Sequence, residues 1–139
     1  MTLIEILSII FIHWVADFIF QAEEWATNKS KSFKALVKHT AMYSLVWLYV
    51  IVGFAICGNH FNGPSIEELG WTPWMITFPL ITFVFHTLTD YFTSKIVSRK
   101  FANQEYGSPI PNFGAFTVIG FDQVLHYVQL FLTYHFLTN

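Results

Sequence analysis

The chain has 139 residues, the length of one domain. Hydrophobic residues make up 54% of it and charged residues only 12%, which is about half the charged fraction of an ordinary soluble domain. So few charges cannot cover the surface of a small soluble protein, and the net charge of −2 argues against a nucleic-acid partner. The single cysteine, Cys57, excludes an intramolecular disulfide. The composition therefore predicts an integral membrane protein.

Four apolar stretches are each long enough to cross a bilayer as a helix. They predict a single all-α domain, residues 1–139, with transmembrane helices at about 2–22, 33–58, 73–97 and 114–137. No basic residue precedes the apolar core of the first stretch, so we interpret it as a retained helix rather than a cleaved signal peptide. Ser30 and Ser32 are candidate N-caps of the second helix, and Pro79 is a candidate kink in the third.

The basic residues are confined to one side of this predicted bundle. All seven lie in or beside the first and third breaks between the spans: Lys29, Lys31, Lys34, Lys38, Lys95, Arg99 and Lys100. A four-span chain places these two breaks on the same side of the membrane, and the opposite side carries both termini and no basic residue. The positive-inside rule then makes the basic side cytoplasmic and puts the N- and C-termini on the non-cytoplasmic side.

Three of the spans carry a histidine and an aspartate four residues apart, a spacing that puts both on one helix face. The pairs are His13 with Asp17, His86 with Asp90 and, in reverse order, Asp122 with His126. Because successive spans run in opposite directions, the topology stacks the three aspartates in one layer near the cytoplasmic side and the histidines one turn deeper. Carboxylates packed so closely must be neutralised, by protons or by a cation.

These six residues are the predicted ligands of one or two divalent metal ions. Nitrogen and oxygen donors without sulfur favour Zn²⁺, with Mn²⁺ or Fe²⁺ as alternatives. His39, in the second span, is predicted to be a seventh ligand or the catalytic acid–base group. Three residues are expected to support the ligands from behind: Gln21, Tyr43 and Ser94. Four are candidate substrate-binding residues at the cytoplasmic mouth, beside a candidate lid at 101–113: Asn28, Lys29, Lys95 and Gln123.

Five segments in a fixed order span nearly the whole chain: HWVADFIFQ, TNKSKS, KHTAMYS, HTLTDYFTSK and FDQVLHY. In this ordered set the chain resembles the small bacterial and phage integral membrane proteins of the domain of unknown function 3307 family. The resemblance implies the inner membrane of a bacterium and no particular activity. Ala16 stands where the family usually has Gly, a change that leaves the neighbouring ligand in place. A looser likeness to membrane-bound metal-dependent hydrolases rests on His and Asp residues placed on several spans.

The leading hypothesis is a metal-dependent hydrolase that cleaves a phosphoester of a lipid or a small metabolite from the cytoplasmic side. Its partners are then the lipid bilayer and an anionic lipid or phosphorylated small molecule, and homo-oligomerisation stays open. The first alternative is a transporter or channel for divalent cations or protons, which requires a polar track leading outward past the histidines. The second is a non-catalytic membrane interaction protein whose polar cluster serves folding alone.

Overall fold

In this computed structural model, residues 1–60, 74–103 and 113–138 are described, and the prediction of an all-α fold is confirmed within them. A π-helical turn, Val15–Ile19, follows the first helix directly. The α-helices of the described residues are α1 (Leu3–Trp14), α2 (Glu23–Asn28), α3 (Phe33–His60), α4 (Trp74–Asn103) and α5 (Phe113–Thr138).

The helix starts follow from local capping chemistry. The Thr2 hydroxyl accepts the Glu5 backbone N–H while the Glu5 carboxylate accepts that of Thr2, which forms a capping box at the start of α1. Ser32 Oγ accepts the Ala35 N–H at 3.3 Å, so the prediction that Ser32 caps the next long helix is confirmed. Ser30 lies in the turn just before it.

Two stretches are helical where the sequence indicated breaks. The first break contains α2, in which Thr27 and Asn28 donate side-chain hydrogen bonds to backbone carbonyls one turn earlier, at 2.9 and 2.8 Å. The second stretch is the end of α4, in the third predicted break. This helix continues through Pro79 and past residue 97, where the sequence predicted its end. Residues 98–103 contain neither Gly nor Pro, and Lys100 in the last turn interacts favourably with the helix dipole. Of the predicted lid, 101–103 are therefore helical, and 104–112 lie outside the described residues.

Within the described ranges, two helices are long and apolar enough to cross a membrane. They are the segment Phe33–Cys57 of α3, with a mean hydropathy of 1.9, and Gly114–Leu137 of α5, with 1.3. The described surface is strongly apolar, with Ile4 77% exposed and Phe136 76% exposed. Among the described residues, polar side chains are about as frequent as apolar ones in the buried interior.

The helices pack around one apolar core that adjoins the polar interior. α3 lies against α4, α4 against α5, and the shorter α2 against α3. The core includes Ile9, Tyr43, Trp47, Phe78 and Leu130, and the Trp47 and Phe78 rings meet edge to face at 5.2 Å between centroids. The histidines lie one or two turns away from these residues on the same helices, so the close packing of the core also fixes the positions of the histidines.

Candidate metal centre

Five buried histidine and aspartate side chains converge at the middle of the bundle. They form two overlapping groups in which the potential ligand atoms all lie within 4.8 Å of one another: Asp17, His39 and His86 in one, and His86, Asp90 and His126 in the other. Each of the five is at most 4% exposed. The predicted buried His/Asp cluster able to hold a metal ion is therefore present, with donor atoms from α1's π-helical extension, α3, α4 and α5.

Asp90 lies at the centre of this cluster. Its Oδ2 atom is 3.0 Å from His39 Nε2 and 3.6 Å from His86 Nε2. Its Oδ1 atom points the other way, 3.4 Å from His126 Nε2. The two oxygens of one carboxylate thus face different histidines.

Asp17 closes the side of the cluster formed by α1 and α3. Its Oδ1 atom is 3.1 Å from His39 Nε2 and 3.5 Å from His86 Nε2, and these two nitrogens are 3.2 Å apart. Asp17 lies within the π-helical turn, where Phe20 donates its backbone N–H to the Val15 carbonyl at 3.0 Å. Such turns are frequent at functional sites because they change the direction in which a side chain leaves the helix.

Ring stacking fixes the orientation of the imidazoles. The Tyr43 ring stacks on His86 at 3.9 Å between centroids, and His86 stacks on His126 at 4.0 Å, with an interplanar angle of 20° in both cases. The Nδ1 atoms of His39, His86 and His126 have no hydrogen-bond partner among the described residues. Each of the three rings therefore offers the cluster its Nε2 atom.

His13 lies beside the cluster rather than among its candidate ligand atoms. Its Nδ1 is 2.6 Å from the Tyr43 hydroxyl and its Nε2 is 2.8 Å from Gln123 Oε1, so both ring nitrogens are engaged. The expectation that His13 and Asp17 share a helix face assumed a regular α-helix, whereas Asp17 lies in the π-helical turn that follows α1. His13 is connected to the cluster through Gln123, whose Nε2 donates to Asp17 Oδ2 at 3.3 Å.

Asp122 lies at the edge of the cluster. Of the three histidines in the ligand groups, His126 alone is within ion-pair distance of Asp122. Its Oδ2 is 3.4 Å from His126 Nε2 and accepts a hydrogen bond from Gln123 Nε2 at 3.2 Å. Its Oδ1 accepts the Thr93 hydroxyl at 2.6 Å. Thr93 was not among the sequence candidates, although it lies three residues after Asp90, a spacing that places both on nearly the same face of α4.

Lys29 reaches into the cluster from outside. Its Nζ atom is 2.8 Å from Asp90 Oδ2 and 3.5 Å from His39 Nε2, and its side chain is 21% exposed. Burial lowers the pKa of Lys29, but the charges of Asp90 and Asp17 raise it more, so the pKa lies above its usual value and the amine is an ammonium. The sequence placed Lys29 at the mouth. The structure places its amine against Asp90, and α2, which precedes Lys29, packs against α3.

A cavity of about 490 Å³ leads to the cluster. All three aspartates line it and none of the histidines does, so the carboxylates lie between the cavity and the imidazoles. Polar and apolar side chains share its wall: Gln21, Thr27, Lys29, Lys31, Ser94, Gln123, Phe18, Phe101 and Ile119. Among the described residues, Gln21 Oε1 and Ser94 Oγ have no hydrogen-bond partner, so these two predicted supporting residues face the cavity instead of the ligands.

Two predicted substrate-binding residues do not line this cavity. Lys95 Nζ lies 3.4 Å from the centroid of the Tyr91 ring, and Lys95 lines a neighbouring hollow on the other side of Lys29. Asn28 donates its side-chain amide to the Glu24 carbonyl at 2.8 Å and thereby closes the last turn of α2. Lys29 and Gln123 are the two of the four candidates that the structure brings to the aspartates.

Comparison with known proteins finds no match: no family model, no curated protein and no solved structure is similar to this chain. The resemblance to the domain of unknown function 3307 family therefore stays a prediction.

Proposed function

We propose that this chain is an integral membrane protein whose buried centre holds a divalent metal ion and hydrolyses a phosphoester of a lipid or small metabolite. The observation that carries the proposal is the convergence of three histidine Nε2 atoms on the carboxylates of Asp17 and Asp90, directly behind a cavity with lysines in its wall. Ion-pair networks that only stabilise a fold have no need of such a cavity.

The exterior of the bundle supports a membrane location. Large apolar side chains such as Tyr49, 82% exposed, and Phe54, 69% exposed, would be costly in water over so much of the surface. We propose that the protein crosses the membrane four times. The four spans are α1 with its π-helical turn, α3, α4 and α5. The basic residues then place the cavity on the cytoplasmic side of a bacterial inner membrane, with both termini on the other side.

The donor set supports a divalent transition metal. Imidazole nitrogens and carboxylate oxygens suit Zn²⁺ best, and Mn²⁺ or Fe²⁺ also accept them. Buried carboxylates close to one another repel strongly unless a cation or protons neutralise them. A metal ion held by His86, His126 and Asp90 would supply that positive charge.

The cavity supports an anionic substrate. Lys29 and Lys31 on its wall attract a phosphate group, and Phe18, Phe101 and Ile119 offer apolar contacts to the rest of an amphiphilic molecule. In hydrolysis, a water oxygen forms a new bond to phosphorus, the P–O bond to the leaving group breaks, and the leaving oxygen takes up a proton. When bound, a metal ion would supply Lewis-acid activation of the water and the phosphate. His39, 3.0 Å from Asp90, is placed to accept the proton of the attacking water.

A second candidate function, the transport of a divalent cation or of protons, is favoured by one observation. Gln129 Nε2 lies 3.4 Å from Thr82 Oγ1 and 3.0 Å from Thr133 Oγ1, and these residues continue the polar interior of α4 and α5 beyond the histidines. Trp47 and Phe78 of the apolar core pack nearby, at the same end of the bundle. The polar chain is therefore short, and hydrolysis remains the first proposal.

The test compares turnover with flux in one preparation. Purified protein loaded with Zn²⁺, Mn²⁺ or Fe²⁺ is assayed with a soluble phosphomonoester, a soluble phosphodiester and phosphatidic acid in detergent. We expect turnover that is lost in Asp90→Asn and retained in Glu24→Gln, an exposed acid on α2. Metal flux into liposomes without phosphoester turnover would instead support transport, and Gln129→Leu should then abolish that flux. Bound metal with neither activity would contradict both proposals.

A further inference from the structure

We infer that the centre takes a single divalent ion because the ammonium group of Lys29 occupies the position of a second. This inference rests on the proposed metal centre and settles which of two arrangements that centre adopts. The Lys29 ammonium is then the second cationic group of the site, beside the divalent ion.

The geometry divides the centre at Asp90 into two halves. The open half consists of His86, His126 and Asp90, and Asp90 Oδ1 and Asp122 Oδ2 are each 3.4 Å from His126 Nε2. The lysine half consists of Asp90 Oδ2, His39 Nε2 and Asp17 Oδ1, with distances of 3.0 and 3.1 Å from the nitrogen to the two oxygens. A carboxylate whose two oxygens face separate ligand sets is suited to bridge the two ions of a dinuclear site.

In this protein one of the two halves already contains a cation. Lys29 Nζ is 2.8 Å from Asp90 Oδ2 and 3.5 Å from His39 Nε2, so it contacts two of the three donor atoms of the lysine half. A metal ion placed between these atoms would displace the ammonium. Among the described residues, no lysine or arginine forms an ion pair with Asp90 Oδ1 or with Asp122 in the open half.

The charges of the centre lead to the same conclusion. With neutral histidines, three carboxylates and one ammonium leave two negative charges, which one divalent ion cancels. A second divalent ion beside Lys29 would leave two uncompensated positive charges among side chains that are almost fully buried, a large desolvation cost. In a variant that lacks the Lys29 ammonium, two divalent ions and the three carboxylates would leave only one excess positive charge.

The backbone holds Lys29 in this position. Lys29 follows the last residue of α2 and donates its N–H to the Trp25 carbonyl at 2.9 Å. α2 in turn packs against α3, where Lys38 Nζ lies 5.7 Å from the centroid of the Trp25 ring. Lys31 lines the same cavity but makes no ion pair with the aspartates in the described part of the chain, which makes it the matched control.

The experiment measures bound zinc per chain after equilibrium dialysis of the purified full-length protein against Zn²⁺. We expect one ion per chain in the wild type and in Lys31→Met, and two in Lys29→Met. Two ions in the wild type, or one ion in Lys29→Met, would overturn the inference. No zinc in any of the three proteins would instead remove the metal centre itself, so the two failures are distinguishable.

A second measurement covers the case in which Lys29→Met does not fold. Wild-type protein is treated with an amine-modifying reagent with and without Zn²⁺, and modification of Lys29 and Lys31 is quantified by mass spectrometry. If Lys29 stays in the centre, its amine is protected relative to Lys31 in both conditions. An increase in Lys29 modification when Zn²⁺ is added would show that the metal displaces the ammonium, and would overturn the inference.

Discussion

Changing Asp90 to asparagine keeps the shape of the side chain but removes the charge that both halves of the centre share. In the metal-free protein this leaves the Lys29 ammonium, now 2.8 Å from the carboxylate, without its closest counter-ion. Gln123 and Thr93, which hydrogen-bond the other two aspartates, are left in place. The variant therefore isolates the contribution of one central carboxylate.

The expected cost follows from the burial of the pair. Removing one partner of a fully buried ion pair destabilises a protein by about 3–5 kcal/mol. Asp90 is 1% exposed but Lys29 is 21% exposed beside a cavity, so water partly solvates the ammonium and we expect about 2–3 kcal/mol. For a chain of this length, that corresponds to a decrease of roughly 5–10 °C in the melting temperature.

The assay is thermal unfolding in detergent with a metal chelator, followed by tryptophan fluorescence. Glu24→Gln is the control and should change the free energy of unfolding by less than about 0.5 kcal/mol. Combining Asp90→Asn with Lys29→Met should recover part of the loss, with a coupling energy of about 1–3 kcal/mol. An unchanged melting temperature in Asp90→Asn, or strictly additive effects in the double variant, would refute the reasoning.

Three further predictions concern the surroundings of the centre and its place in the membrane. Tyr43→Phe removes the hydroxyl 2.6 Å from His13 and should cost about 1–3 kcal/mol of stability while leaving bound metal unchanged, measured by melting and by elemental analysis. Gln123→Leu removes hydrogen bonds to two aspartates and should weaken metal binding about 10- to 100-fold in a competition titration with a chromogenic chelator, whereas unchanged affinity would contradict this role. In a cysteine-free background, Lys31→Cys should react with an impermeant thiol reagent only after the membrane is opened. Leu3→Cys should react in intact cells, and the reverse pattern would invert the proposed topology.

The sequence allowed the helical architecture and the His/Asp cluster to be predicted because both depend on patterns visible along single helices. Long apolar stretches predict helices from length alone. A charged residue in such a stretch is conspicuous, and the spacing of His86 and Asp90 places them on one face of α4. The aspartates do line the cavity while the histidines lie behind them.

The details that the sequence did not reveal depend on contacts between elements. α2 has only six residues, a length at which an isolated helix is unstable, so it forms by packing against α3 and carries Lys29 inward. The π-helical turn Val15–Ile19 has no simple sequence signature, and it contains Asp17 while His13 lies in the α-helix before it. Both features decide which side chains contact the centre.

Binding of a divalent metal ion by the buried cluster can be measured by elemental analysis of the purified protein. The wild type, His86→Ala and His135→Ala would be purified without chelator, because His86 belongs to both candidate ligand groups and His135 is exposed far along α5. We predict one equivalent of a single transition metal in the wild type and in His135→Ala, and a loss of that metal in His86→Ala. No stoichiometric metal in the wild type, or equal metal in His86→Ala, would contradict the proposed centre.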